Sequence, residues 1–145
     1  MKKRAEAIVL AGGKGSRLAP LTEDTPKPML KIMGKTVLEN VFDRIADAGI
    51  TRAYVTTMYL PWQVESLGTS RKGVKISYVR EKEPLGTAGG AANAYDGDAD
   101  AVIILSGDGL YDFDLKKIID SHFEKNADVT IVTYPTDNPL NSFSR

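Results

Sequence analysis

The sequence predicts an α/β domain built on a largely parallel sheet with helices on both faces. Three observations carry this. Five apolar, mostly β-branched runs recur at residues 7–11, 53–58, 74–79, 101–105 and 129–134. Several lack hydrophobic alternation, as strands buried on both faces do. Segments of helical periodicity separate them, the pattern of parallel strands joined by crossover helices.

The first run supplies an opening strand. After it, Val37, Leu38, Val41, Phe42 and Ile45 repeat at helical spacing, with Glu39, Asp43, Arg44 and Asp47 expected on the solvent face and Gly49 as the stop. A second strand follows at 53–58. A short helix is expected over 61–67, with Trp62 packed under a helix or else in a surface contact with sequence outside these residues, and Arg71-Lys72-Gly73 reads as a solvated turn.

The third strand, 74–79, leads to a helical stretch at 88–95, and the fourth, 101–105, is wholly apolar. Asp114 is placed to cap a helix carrying Leu115, Ile118, Ile119 and Phe123, with His122 at the edge of that stripe. The run 129–134 predicts a fifth strand.

Composition narrows the function classes. A chain of 145 residues with no compositional break fits one domain. Nineteen basic and nineteen acidic residues cancel, which disfavours nucleic acid and anionic membranes as partners. No cysteine is present, so disulfides, thiolate metal sites and a cysteine nucleophile are excluded. The basic start Met1-Lys2-Lys3-Arg4 is followed by Glu6, and the apolar stretch ends at Gly12, unlike a signal peptide. A cytoplasmic protein is expected.

In open sheets of this kind ligands bind beyond the carboxyl ends of the strands, so the residues after each run matter most. Gly12, Gly13 and Gly15 follow the first strand, where glycines bring backbone N–H groups close to an anion. Arg17 adds a fixed charged fork suited to phosphate oxygens. The plain alternative is a connecting turn with Arg17 in a surface ion pair. Pro26-Lys27-Pro28 favours the cradle, because two prolines are expected to hold Lys27 outward on a stiff extended segment.

Two further loops complete the pattern. Gly86-Thr87-Ala88-Gly89-Gly90 would let a flat ring such as a nucleobase lie against backbone, or would simply be a tight turn capped by Thr87. Ser106-Gly107-Asp108-Gly109 sets a carboxylate at a strand end, suited to Mg²⁺ or to an ordinary Asp-Gly turn. Two common fingerprints fail. Leu18 stands where the dinucleotide motif needs its third glycine, and Met29 where a P-loop ending in Gly34-Lys35-Thr36 needs its first.

Residues 7–43 closely resemble the sugar-phosphate nucleotidylyltransferase family, whose signature runs L-A-G-G-x-G-[ST]-R-L-x-P-L-T, then P-K-P-M-L, then G-K-x-x-L-E. The chain supplies residues 10–18, Pro20-Leu21-Thr22, residues 26–30, Gly34-Lys35 and Leu38-Glu39. Residues 83–89, Glu-Pro-Leu-Gly-Thr-Ala-Gly, look most like mannose-1-phosphate guanylyltransferases and their near relatives.

The resemblance implies a Rossmann-like three-layer α/β/α sandwich of the nucleotide-diphospho-sugar transferase type. It implies that Arg17 and Lys27 are catalytic and that Asp108 binds Mg²⁺. Leu10, Ala11, Gly12, Gly13, Gly15 and Ser16 would hold the nucleoside triphosphate from one loop. Glu83, Gly86, Thr87 and Gly107 would complete its site, with Gly86 and Thr87 facing the base. The implied reaction joins a nucleoside triphosphate, best GTP, to a sugar 1-phosphate, best mannose 1-phosphate, with pyrophosphate leaving.

Thr36 stands where proline is frequent in the family and Gly109 where a larger residue is. The family's second metal carboxylate and its sugar-phosphate residues would fall beyond Arg145, and Asp137-Asn138-Pro139 resembles the approach to that segment. Residues 1–145 are therefore expected to be a truncated, N-terminal nucleotide-binding portion of such an enzyme, weak in turnover. Self-association through an uncovered sheet edge is expected with it. The alternative is a catalytically silent nucleotide-binding regulatory or assembly module.

Overall fold

The computed structural model describes residues 3–133 and 135. Strand β1 (Ala5–Leu10) is followed by two 3-10 turns, Ser16–Leu18 and Lys27–Met29, and by the hairpin β2 (Lys31–Ile32) and β3 (Lys35–Thr36). Helix α1 (Val37–Asp47), β4 (Arg52–Thr57), α2 (Pro61–Glu65), β5 (Ser70–Arg71) and β6 (Val74–Arg80) come next. The chain continues through α3 (Gly86–Ala94), β7 (Ala101–Ser106) and α4 (Leu115–Glu124). Among the described residues no helix is long and apolar enough to cross a membrane.

The main sheet has the order β5-β6-β4-β1-β7. Strands β6, β4, β1 and β7 run parallel, and only the two-residue β5 is antiparallel. Both faces are covered, as the unalternated runs require, except along β7, where Val102 and Ile104 are exposed. On one face Val9, Val55 and Ile76 pack with Leu38, Val41, Phe42 and Ile45 of α1 and with Leu115 of α4. On the other, Ile8 and Tyr54 pack with Ala91 and Ala94 of α3. The expected three-layer α/β/α sandwich is the architecture observed.

Helix α1 begins where the sequence resembled a P-loop. Met33 and Gly34 both take positive φ at the hairpin tip, and Thr36 then caps the helix. The Glu39 N–H donates to Thr36 Oγ1 at 3.1 Å, while the Thr36 N–H donates to Glu39 Oε2 at 2.9 Å. This capping box satisfies two otherwise orphaned amides, so threonine has a local reason to stand at this position. Gly49, at φ +79°, ends the helix as expected, and Asp114 caps α4 by accepting from the Lys117 N–H.

Several expectations are corrected. Residues 129–133 form no strand: Val129 and Ile131 are 77% and 79% exposed, and no described strand pairs with them, so the fifth run lacks the ladder a strand needs. Tyr134 and Asp137-Asn138-Pro139 lie outside the described residues. Trp62 is 62% exposed on α2 rather than packed beneath it, because Val64 is the residue that helix buries. Helix α3 begins at Gly86, which places Thr87 inside it rather than at its cap.

The expected solvent face of α1 also hides a charge network. Asp43 is only 8% exposed, and Arg71 belongs to that network rather than to a solvated turn. Arg71 Nε lies 2.7 Å from Asp43 Oδ1 and its Nη1 lies 3.0 Å from Glu39 Oε1, while Lys35 Nζ lies 2.8 Å from Asp43 Oδ2. These contacts tie α1 to the β5–β6 edge of the sheet, 28 residues apart in sequence for the Asp43–Arg71 pair.

Hydrogen bonding from Arg71 holds the Asp43 carboxyl well below the usual carboxylate range, against the upward push of its burial. A depressed folded-state pKa stabilises above the unfolded value of about 4 and is lost as pH falls toward the folded one. Asp43→Asn is expected to cost about 1.5–3 kcal/mol at neutral pH by urea unfolding. That deficit should shrink as the pH is lowered below about 4, where the wild-type carboxylate also loses its advantage. An equal deficit at both pH values would contradict this account.

Candidate active site

Because β1, β4, β6 and β7 are parallel, their carboxyl ends open on the same side of the sheet. From β1 the chain moves to β4 and β6 on one side and returns to β7 on the other. The end of β1 is thus the switch point where such sheets leave a crevice. The segments converging there are residues 11–18, 26–29, 81–90 and 106–109.

Leu10 and Ala11 fix the departure from β1. The Ala11 N–H donates to both the carbonyl and the hydroxyl of Thr56, each at 3.2 Å, and the Gly107 N–H donates to Leu10 O at 2.8 Å. A Cβ on Gly107 would lie 2.9 Å from Ala11 Cβ and 3.1 Å from Leu10 O. Glycine here lets the β7 loop close on the β1 loop, which brings Asp108 to the crevice.

The glycine-rich turn is open on one side and packed on the other. A Cβ on Gly13 would meet nothing within 4 Å, whereas one on Gly12 would lie 3.3 Å from Glu81 Oε2. Gly15, at φ +67°, caps the Ser16–Leu18 turn and accepts a 2.8 Å hydrogen bond from the buried Thr22 hydroxyl. A Cβ on Gly15 would lie 3.0 Å from Lys27 Cβ, so the glycine turn and the proline-bracketed lysine touch.

Lys27 does not sit on an extended segment as expected. Pro26 has an extended backbone, but Lys27-Pro28-Met29 forms a 3-10 turn with Pro28 buried. The reason is that proline tolerates the first turn of a helix, where its missing N–H has no partner to lose. Anchored from below by Pro28, Lys27 reaches across to Asp108, with Nζ 2.7 Å from Oδ2.

Asp108 is partly buried and held at both oxygens, since the Ser106 hydroxyl donates to Oδ1. Burial pushes its pKa up, but hydrogen bonds from Lys27 and Ser106 outweigh this and leave the carboxyl below its ordinary value. The acid is therefore ionised at neutral pH. Tyr111 braces the loop: the Ser106 N–H donates to its hydroxyl at 2.7 Å, and that hydroxyl donates to Ser106 O at 2.8 Å. Gly109 leaves room for this ring, whose Cζ would lie 3.2 Å from a Cβ at that position.

The structure thus joins Leu10, Ala11 and Gly107, joins Gly15 with Lys27, and joins Lys27 with Asp108. Arg17, Ser16, Glu83, Gly86 and Thr87 are exposed along the same side. Among the described residues Arg17 forms none of the ion pairs. Glu81 escaped the motif reading. It is the first residue beyond β6, the same position relative to its strand that singled out the other loops, and its Oε1 would lie 2.6 Å from a Cβ on Gly90.

The chain matches the family model described as nucleotidyl transferase over residues 6–141. It is 41% identical over 139 residues to mannose-1-phosphate guanylyltransferase of Mycobacterium tuberculosis, covering 94% of this chain and 39% of that one. It is 36% identical over 132 residues to D-glycero-alpha-D-manno-heptose 1-phosphate guanylyltransferase of Aneurinibacillus thermoaerophilus, covering 90% and 57%. Among solved structures, HddC from Yersinia pseudotuberculosis complexed with GMP-PN matches with a TM-score of 0.67 at 31% identity, covering 82% of this chain and 54% of that one. The chain spans between 39% and 57% of the length of these proteins. With the strand ends arranged as described and the family match running through nearly the whole chain, the protein belongs to the nucleotidyl transferase family.

Proposed function

We propose that residues 1–145 form the nucleotide-holding portion of a sugar-phosphate nucleotidylyltransferase that uses GTP. The observation that carries this reading is the meeting of Lys27, Asp108 and the Gly12–Gly15 turn at the switch point of the sheet. In the proposed reaction an oxygen of a sugar 1-phosphate, mannose 1-phosphate being the best candidate, attacks the α-phosphorus in line. The bond to the β-phosphate oxygen breaks and pyrophosphate leaves with its electron pair. Positioning and charge stabilisation suffice for this chemistry, and no protein nucleophile is needed.

Each residue has a part set by its place. Backbone N–H groups of Gly12, Gly13 and Gly15 surround the phosphates, and Arg17 on the open side reaches their oxygens with a planar fork. Lys27 neutralises charge that builds on the reacting phosphates. Gly86 and Thr87 at the start of α3 face the base, with Glu83 beside them.

Asp108 is assigned to Mg²⁺. The fit is that of a hard, ionised carboxylate in partial shelter. Mg²⁺ commonly uses one or two carboxylates and takes its other oxygens from phosphate and water, so Asp108 suits it as one of its ligands. Bound there, the ion would supply charge neutralisation to the triphosphate.

Glu81 gives the guanine preference a physical basis. Its carboxylate faces the space bounded by Gly12 and Gly90. The Watson–Crick edge of guanine offers two adjacent N–H donors, which one carboxylate accepts together, whereas adenine presents a ring acceptor there. Two relatives carry guanylyltransferase in their names, and a solved relative holds GMP-PN, which supports the same base.

Four outcomes are expected. In a thermal-shift panel of GTP, ATP, UTP, CTP and dTTP with Mg²⁺, GTP should rank first, and a ligand at a hundred times its Kd adds about 2.7 kcal/mol. Absence of any nucleotide effect would sink the reading. Arg17→Ala and Lys27→Ala should each weaken GTP binding by about 10- to 100-fold, the equivalent of one charged hydrogen bond of about 1.5–3 kcal/mol, with unfolding curves little changed. Glu81→Gln should reduce the GTP-over-ATP ratio by at least about tenfold, and an unchanged ratio would remove Glu81 from base reading. Sedimentation at tens of micromolar should show self-association through β7, the outermost strand among the described residues, where Val102 and Ile104 are exposed, and a clean monomer would refute that.

A further inference from the structure

Both oxygens of Asp108 have partners within the protein. Lys27 Nζ lies 2.7 Å from Oδ2, and the Ser106 hydroxyl donates to Oδ1. A divalent ion of magnesium's size needs an oxygen at about 2.0–2.1 Å. An ion that close to Oδ2 would stand against the ammonium, and like charges at contact repel strongly where water is partly excluded.

The lysine is built to leave that position. Its backbone is fixed by Pro26 and the buried Pro28, and its Cβ lies against Gly15, 3.0 Å from where a Cβ there would be. The root of the side chain is therefore held beside the phosphate-cradling turn while its tip rests on the acid. Rotation of a flexible four-carbon stem suffices to carry the ammonium from one to the other.

We infer that Lys27 is a stand-in cation for Asp108: it occupies the carboxylate until a nucleotide's phosphates draw the ammonium away, so a divalent ion is taken up only together with nucleotide. This rests on the assignment of Lys27 to phosphate and Asp108 to metal. It adds that the two ligands are coupled through one side chain. Mg²⁺ takes much of its shell from phosphate oxygens and water, which ties its uptake at Asp108 to that of the nucleotide. The ion pair also spares Asp108 an uncompensated charge in its half-buried position.

The test is metal binding without nucleotide, with Mn²⁺ as the probe and the free-ion electron paramagnetic resonance signal as the readout. The wild-type 145-residue chain should bind Mn²⁺ weakly, and Lys27→Met should bind it more tightly by on the order of tenfold, within the range of ~5- to ~150-fold usual for coupled ligands. The same variant should bind GTP more weakly, so one substitution moves the two ligands in opposite directions. Adding Asp108→Asn to Lys27→Met should abolish the gained Mn²⁺ affinity.

A folded Lys27→Met protein that binds Mn²⁺ no better than wild type would overturn the inference. So would a Lys27→Met/Asp108→Asn protein that keeps the gain. Lys27→Gln, closer in shape and polarity, gives the same comparison should the methionine variant fail to fold. Failure of the wild-type chain to bind GTP is a different result: it overturns the nucleotide assignment itself, whatever Mn²⁺ does.

Discussion

Strand β1 is paired along both edges, with Ala7–Leu10 against β4 and Ala5–Leu10 against β7, and this double pairing determines where every loop of the site can begin. A strand held on both sides cannot shift register without breaking two ladders. Its last residues are therefore fixed in register. Leu10 O receives the Gly107 N–H, Ala11 N–H is taken by Thr56, and the glycine turn starts from a fixed place between its neighbours. The close approach of Gly107 to Ala11 then delivers Asp108 to the same crevice.

Charge is distributed in two different ways within the domain. The Asp43 cluster is structural: several cations surround one buried carboxylate and join a helix to the sheet edge, and all its members have partners. The Lys27–Asp108 pair is half-exposed and lies on a crevice beside open backbone. A satisfied network resists change, whereas a pair at the mouth of a cleft can exchange its partners for a ligand's charges. This difference separates a cluster that maintains the fold from a pair open to exchange, as the proposed triphosphate site requires.

Much of the architecture was legible because it follows from short-range pattern. Unalternated apolar runs marked buried parallel strands, 3.6-residue spacing marked α1 and α4, and Asp114 and Gly49 marked helix boundaries. Over its described residues 129–133 the fifth run misled because β-propensity shows only that a segment can pair, and no described strand pairs with this one. Asp43 misled in the opposite direction. Helical periodicity put it on the polar face of α1, and its burial arises from Arg71, a residue whose proximity only the folded sheet creates.

By itself the sequence determined the family, the strand-end loops and the chemical types gathered there, since glycine turns, a proline-bracketed lysine and a strand-end aspartate are local patterns of adjacent residues. It could not determine which of those residues touch. The contact between Gly15 and Lys27, the ion pair of Lys27 with Asp108, and the place of Glu81 beside Gly12 and Gly90 join segments far apart in the chain. Those distances are set by strand order and register, which depend on packing across the whole sheet, and so only the tertiary structure decided them.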